Sequence, residues 1–193
     1  MKKEFFLVLM CAMCITIQAQ NLVSFKLQPN GTFITEDGKD FVIVEFGDKT
    51  ASELYDMVKQ NVIETYKNPK HVMTENEPTS IKIRALSEPI FSGLKLIGGV
   101  TIYRAYYNLV FHFKDGRIKV DAPIIESNLD VDGPNPISQR FDKYVDDWFD
   151  KDGQPKKKKA DKIAAVEFIL LSPVNILIGN YKSKKQKEEE EKW

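Results

Sequence analysis

The stretch VTIYRAYYNLVFHFKDGRIKVDAPII, residues 100–125, constrains the fold more than any other part of the chain. Tyr103, Ala105, Tyr107, Leu109, Phe111 and Phe113 alternate onto one side. Arg104, Tyr106, Asn108 and His112 alternate onto the other, with Ile102 and Val110 among them. A period of two is the side-chain geometry of a strand. After Asp115-Gly116, Ile118, Val120, Ala122 and Ile124 resume the apolar side, opposite Arg117, Lys119 and Asp121. Asp-Gly suits a two-residue turn because both positions tolerate positive φ. The stretch predicts a long antiparallel hairpin with one side in a core and the other at least partly wet.

The elements before it follow from similar signals. NLVSFKLQPNGT reads as a loosely structured arm with a turn at Pro29-Asn30-Gly31, and TFITEDGKDFVIVEF as two short strands around Asp37-Gly38, of which Phe41 to Phe46 is the firmer. In DKTASELYDMVKQNVIETYKNPK, Thr50 and Glu53 form a capping box. Leu54, Val58, Val62 and Tyr66 recur at four-residue spacing, widened by Met57 and Thr65, which predicts a helix with one apolar face ended by Asn68-Pro69. Short strands are expected at 71–75 and 80–86 with a turn at Asn76 to Pro78, then a Gly/Pro-punctuated loop at 87–99.

Beyond the hairpin, NPISQRFDKYVDDWFDKDG predicts a second helix, capped by Asn135 with Pro136 in its first turn. Its stripe is Ile137, Phe141, Tyr144, Val145, Trp148 and Phe149. A Lys-rich linker leads to KIAAVEFILLSPVNILIGNYK, where Ser172-Pro173 predicts a corner between two short helices. Strands in sequence with segregated helices indicate an α+β domain built on a single antiparallel sheet with helices packed on one face, plus C-terminal helices.

The segments FVIVEF, ASELYDMVKQNVIETYKNP, VMTENEPTSIKIR and FHFKDGRIKV, within residues 40–125, resemble a family of uncharacterised exported Gram-negative bacterial proteins. That family is a domain of unknown function with a TATA-binding-protein-like fold. The resemblance implies a curved sheet covered by helices on one side, and it brings no catalytic residues with it. A fold shared with a DNA binder does not imply DNA binding.

Residues 1–19 are expected to be a signal peptide. Lys2 and Lys3 precede an uncharged apolar run of 13 residues, Phe5 to Ile17, which is too short to span a bilayer and matches the apolar core of a secretory signal. Ala19 suits the position before a cut after Ala19 or Gln20. Met10 and Met13 precede the two cysteines, a context unsuited to lipid attachment. Cleavage would remove Cys11 and Cys14 together, leaving 193 − 19 = 174 residues without a thiol, enough for one domain. The expected organisation is then an arm at 20–39, the α+β domain at 40–150, a linker and apolar helices at 151–181, and a charged disordered tail at 182–193. The expected location is periplasmic or secreted.

Charge narrows the function. The chain has 28 Lys+Arg and 28 Asp+Glu, and removing Lys2, Lys3 and Glu4 leaves 26 and 27, a net of −1. A nucleic-acid binder shows a basic excess, so no nucleic-acid partner is expected. His71 and His112 have no second histidine at ligand spacing, so no metal site and no cofactor are expected. No G-x-S-x-G, H-E-x-x-H, G-x-x-x-x-G-K or G-x-G-x-x-G motif occurs, and no catalytic residue can be named.

Asn128, Asp130, Asp132 and Gly133 fall at calcium-loop positions, but Gln139 stands where a bidentate Glu should close the site, so a plain polar connection is the better reading. Tyr103 and Tyr107 fall on the core side, while Arg104 and Tyr106 fall on the other as a candidate ligand surface. The expected function is an exported non-enzymatic domain that binds a protein, peptide or small ligand. The alternative is an envelope-associated structural protein with peripheral membrane contact through residues 156–181.

Overall fold

The structure is a computed structural model that describes residues 22–94, 100–131 and 139–180. The expected hairpin is its spine. β7 (Val100–Lys114) turns at Asp115-Gly116 into β8 (Arg117–Asp121), antiparallel. Gly116 takes a φ of 76°, and a Cβ there would lie 2.8 Å from the Gly47 carbonyl oxygen, so both conformation and space require glycine. With 15 residues, β7 accepts two strands along each edge. On one edge lie β5 (Ser80–Leu86) and β6 (Phe91–Leu94); on the other lie β8 and β9 (Ile124–Val131). β4 (Met73–Asn76) extends the sheet beyond β5, β3 (Phe41–Glu45) beyond β8, and β10 (Gln139–Arg140) beyond β9, giving eight antiparallel strands.

Helices cover one face, and the fold is α+β as expected. α1 (Ala51–Thr65) starts in the expected capping box: Thr50 N–H donates to Glu53 Oε2 at 2.7 Å, and Glu53 N–H donates to Thr50 Oγ1 at 3.3 Å. Asp115 Oδ1 accepts the Ala51 N–H at 2.8 Å, which ties the β7–β8 turn to the first turn of α1. Leu54, Tyr55, Val58 and Val62 of α1 are fully buried against Ile81, Ile83, Leu109, Phe111 and Ile118 of the sheet. α2 (Pro69–Val72) is a single turn before β4. α3 (Phe141–Asp146) follows β10, and α4 (Ala160–Leu177) packs on α1.

Several expectations are corrected. The segment at 22–39 is not a loose arm: Val23, Phe25, Leu27 and Phe33 are buried in the one core. β1 (Lys26–Leu27) and β2 (Phe33–Ile34) form a separate two-stranded ribbon, and β1 packs on α4. Two α4 side chains hold it by its backbone. Asn175 Oδ1 accepts the Val23 N–H at 2.9 Å while Asn175 Nδ2 donates to the Val23 carbonyl at 3.0 Å, and Glu167 Oε1 accepts the Leu27 N–H at 3.0 Å. These partners are about 140 to 150 positions away in sequence, so no local pattern announces them. Asp37-Gly38 does turn, with Thr35 N–H donating to the Lys39 carbonyl at 2.8 Å, but it links strands of two different sheets.

The region read as a loop at 87–99 contains β6, because β7 runs beyond the end of β5 and leaves its edge free. Ile124 is exposed rather than on the apolar side. The strand breaks at Ala122-Pro123: Ala122 N–H donates to the Asp40 carbonyl, Pro123 has no N–H, and β9 resumes with Ile124 opposite Asn108 of the polar side.

The second helix is shorter than expected. Residues 139–140 pair with β9, so the chain stays extended up to Phe141, and Asn135 to Ile137 lie outside the described residues. Asp132 and Gly133 lie outside them too, while Asn128 and Asp130 belong to β9, paired with Arg140 and Arg104, rather than to a calcium loop. Ser172-Pro173 makes no corner, and α4 continues through Pro173. Burial of Leu170, Val174 and Leu177 on either side holds the helix across the missing hydrogen bond. Residues 1–21, including Ala19 and Gln20, and the tail from 181 lie outside the described residues.

A pH-dependent contribution arises where α1 meets the sheet edge. Tyr55 Oη donates to Glu75, and Lys59 Nζ lies 2.6 Å from the same carboxylate. Lys59 first, and Tyr55 second, hold the Glu75 carboxyl below its ordinary value of 4.5. A lowered folded-state value stabilises the protein above the unfolded value and is lost as pH falls through the folded one. Melting of the Glu75→Gln variant is therefore expected to lie below the parent at neutral pH and to converge with it as pH falls through the lowered folded-state value, below 4.5. A constant gap across that range would contradict the assignment.

Candidate functional site

A groove of about 890 Å³ lies between the end of α1, the end of β5 and the outer side of α4. Ile63, Leu86 and Phe168 supply large apolar side chains that remain exposed, Phe168 to 69%. Ile169, Pro173 and Ile176 of α4 complete that wall. Cavities of roughly 300–1,000 Å³ with apolar walls and a few convergent polar groups are typical small-ligand sites.

The polar groups of the groove come from core positions. Alternation along β7 places Tyr107 inward, and the α1 stripe places Tyr66 at the helix C-cap, where its N–H closes on the Val62 carbonyl at 3.0 Å. The two phenol oxygens meet at 3.0 Å. Burial pushes the Tyr66 hydroxyl well above the ordinary phenol value and pushes Tyr107 up as well, so both keep their protons at neutral pH. One hydrogen serves the contact between them; the other is left for an acceptor in the groove.

Thr65 Oγ1, beside this pair, is buried without a hydrogen-bond partner among the described residues. Pro173 has no N–H for the carbonyl of Ile169 one turn earlier, so that carbonyl lacks its usual helical partner. Ser87 is already committed, its hydroxyl accepting the Ala105 N–H at 3.1 Å. Glu64, Lys67 and Glu88 stand at the rim.

A second cavity of about 570 Å³ lies where β8 and β9 part. Much of its charge is already paired: Asp121 accepts from His112 at 2.9 Å and from Lys119 at 2.8 Å, and Arg140 pairs with Asp142. No group of three or more metal-binding side chains occurs among the described residues.

Arg104 and Tyr106 lie on the uncovered face of the sheet, away from the groove. Arg104 is half-buried, and Tyr106 lies under the Arg84 guanidinium at 4.2 Å. Arg84 is in turn held by Glu126 through two hydrogen bonds of 2.5 and 2.7 Å, and Asn108 adds a third bond to that carboxylate at 3.3 Å. Sequence reasoning missed the groove because Tyr107 and Tyr66 read as packing, which they also are. The available signal was tyrosine rather than phenylalanine at two inward positions, since a buried phenol needs a partner.

No family model matches the chain, and no curated protein matches it. Among solved structures, the chain is similar to a TBP-like protein from Parabacteroides distasonis, at 14% identity and a TM-score of 0.48, over 72% of this chain and 91% of that one. It is also similar to a DUF4468 family protein from Bacteroides ovatus, at 12% identity and a TM-score of 0.49, over 78% of this chain and 88% of that one.

Proposed function

We propose that the protein is a non-catalytic binding domain whose ligand lies in the groove between α1 and α4. The ligand is an uncharged amphipathic small molecule: an apolar body against Ile63, Leu86 and Phe168, and a hydroxyl- or amide-type head at the tyrosine pair. The observation that carries this reading is the Tyr66–Tyr107 contact, which leaves one hydrogen to donate beside the apolar wall of the groove. The Ile169 carbonyl offers an acceptor to the same head. Glu64 and Glu88 at the rim outnumber Lys67, which disfavours a carboxylate head.

Calorimetric titration with 1-decanol tests the reading, with decanoate as the charged comparison. Tighter binding of the alcohol is expected, with about a 10-fold loss in the Tyr66→Phe/Tyr107→Phe double variant, equivalent to one net hydrogen bond of ~1.4 kcal/mol. Equal affinity in parent and double variant, or preference for decanoate, would sink this assignment.

The membrane alternative has less support. Ile163, Val166, Leu170, Val174, Leu177 and Ile178 are turned into the core, and no helix among the described residues is long and apolar enough to cross a membrane. We place the binding outside the cytoplasm on the leader reading of residues 1–19. Protein recovered from its native host should begin at Gln20 or Asn21 by intact mass, and retention of Met1 would overturn that placement.

A further inference from the structure

The eight-stranded sheet ends on one side in β3, whose neighbour among the described residues is β8 alone. Its ladder is framed by Ala122 N–H donating to the Asp40 carbonyl and Phe46 N–H donating to the Gly116 carbonyl, both at 2.7 Å. Both contacts use even-numbered β3-side residues, so the even positions face β8. The N–H and C=O groups of Phe41, Ile43 and Glu45 therefore point away from the sheet. No proline or lysine interrupts Phe41-Val42-Ile43-Val44, and Ile43 remains 48% exposed. Natural edge strands normally carry such interruptions to prevent pairing. The opposite edge strand, β4, is guarded by Glu75 and its ion pair with Lys59.

We propose that β3 pairs antiparallel with β3 of a second copy of this chain, about a two-fold axis through Ile43, joining the two sheets into one. The outward set is symmetric about that residue: Ile43 meets Ile43 and Phe41 meets Glu45 on each side, every pair in the hydrogen-bonded register. Six backbone hydrogen bonds close, and the side chains satisfy the same symmetry. On the uncovered face, two half-exposed Ile43 side chains cover one another. On the helical face, Val42 meets Val44.

The charges agree as well. Lys119 Nζ, which also pairs with Asp121 at 2.8 Å, lies 4.9 Å from the Phe41 ring centre, beside the position that Glu45 of the second copy would occupy, so the two carboxylates would share it. A self-complementary strand with this charge placement favours a second copy over an unrelated extended peptide.

Five paired residues bury little surface, so the association is expected to be weak and dependent on concentration. Sedimentation velocity on the full chain, from about 1 to about 300 μM, brackets the weak association expected of an interface below ~1,200 Å². The mass is expected to double across that range. Ile43→Lys places two ammonium groups at the axis and should remain single-mass at the highest concentration. At the lowest concentration it should melt like the parent, because Ile43 is already half in solvent. Glu45→Lys should weaken the doubling, and Glu45→Lys combined with Lys119→Glu should restore it. A parent of single mass throughout would overturn the proposal, as would an Ile43→Lys variant that doubles as readily as the parent.

Discussion

Phe25→Ala is expected to destabilise the protein by about 3–5 kcal/mol, the range for truncating a fully buried aromatic. For a chain of this size that lowers the melting temperature by roughly 10 °C. Phe25 is wholly buried between two backbone anchors, Asn175 at Val23 and Glu167 at Leu27. The anchors prevent the ribbon from shifting to fill the void, which puts the cost at the upper part of the range. Leu22 is 51% exposed, so Leu22→Ala should stay within ~0.5 kcal/mol of the parent. Chemical denaturation of the pair separates a docked ribbon from a loose arm. Equal, small effects would show that residues 22–34 contribute no core.

Asn175→Leu should cost about 2–4 kcal/mol although it makes the core more apolar. The asparagine amide satisfies both the N–H and the C=O of Val23, and its Nδ2 also donates to the Leu171 carbonyl at 3.0 Å. Leucine has similar bulk but strands two buried backbone groups of Val23, each worth ~1–3 kcal/mol when left unpaired. The loss should appear first at the N-terminus. Limited proteolysis is expected to cut between Val23 and Lys39 in the variant before any cut in α1 or β7. Protection equal to the parent in that segment would contradict the bracketing role.

The reach of sequence reasoning follows from the distance over which each signal acts. The β7–β8 hairpin and the capped α1 were legible because their causes are local: alternation, an Asp-Gly turn, and a Thr50–Glu53 box three residues apart. The ribbon at 26–34 was not, because Asn175 and Glu167 lie at the other end of the chain. β6 was missed for a related reason, since it exists only because β7 outruns β5. Pro173 read as a corner by a rule that is sound for exposed helices and yields when both sides of the proline are buried.

The groove was the least legible feature. It needs the end of α1, the end of β5 and the middle of α4 together, and its polar residues carry no motif. The uncovered sheet face was partly legible. Alternation placed Tyr106 and Arg104 there, but it could not show that Arg84, held by Glu126 from another strand, already covers the Tyr106 ring.

The central claim is that ligand enters beside the tyrosine pair. Amide chemical shifts of the isotope-labelled protein, followed through a titration with 1-decanol, test it most directly. Saturable shifts are predicted at Thr65, Tyr66, Ser87, Tyr107 and Ile169, with the uncovered face at Arg84 and Tyr106 unchanged. Shifts confined to that uncovered face, or no saturable shift at any groove residue, would contradict the account.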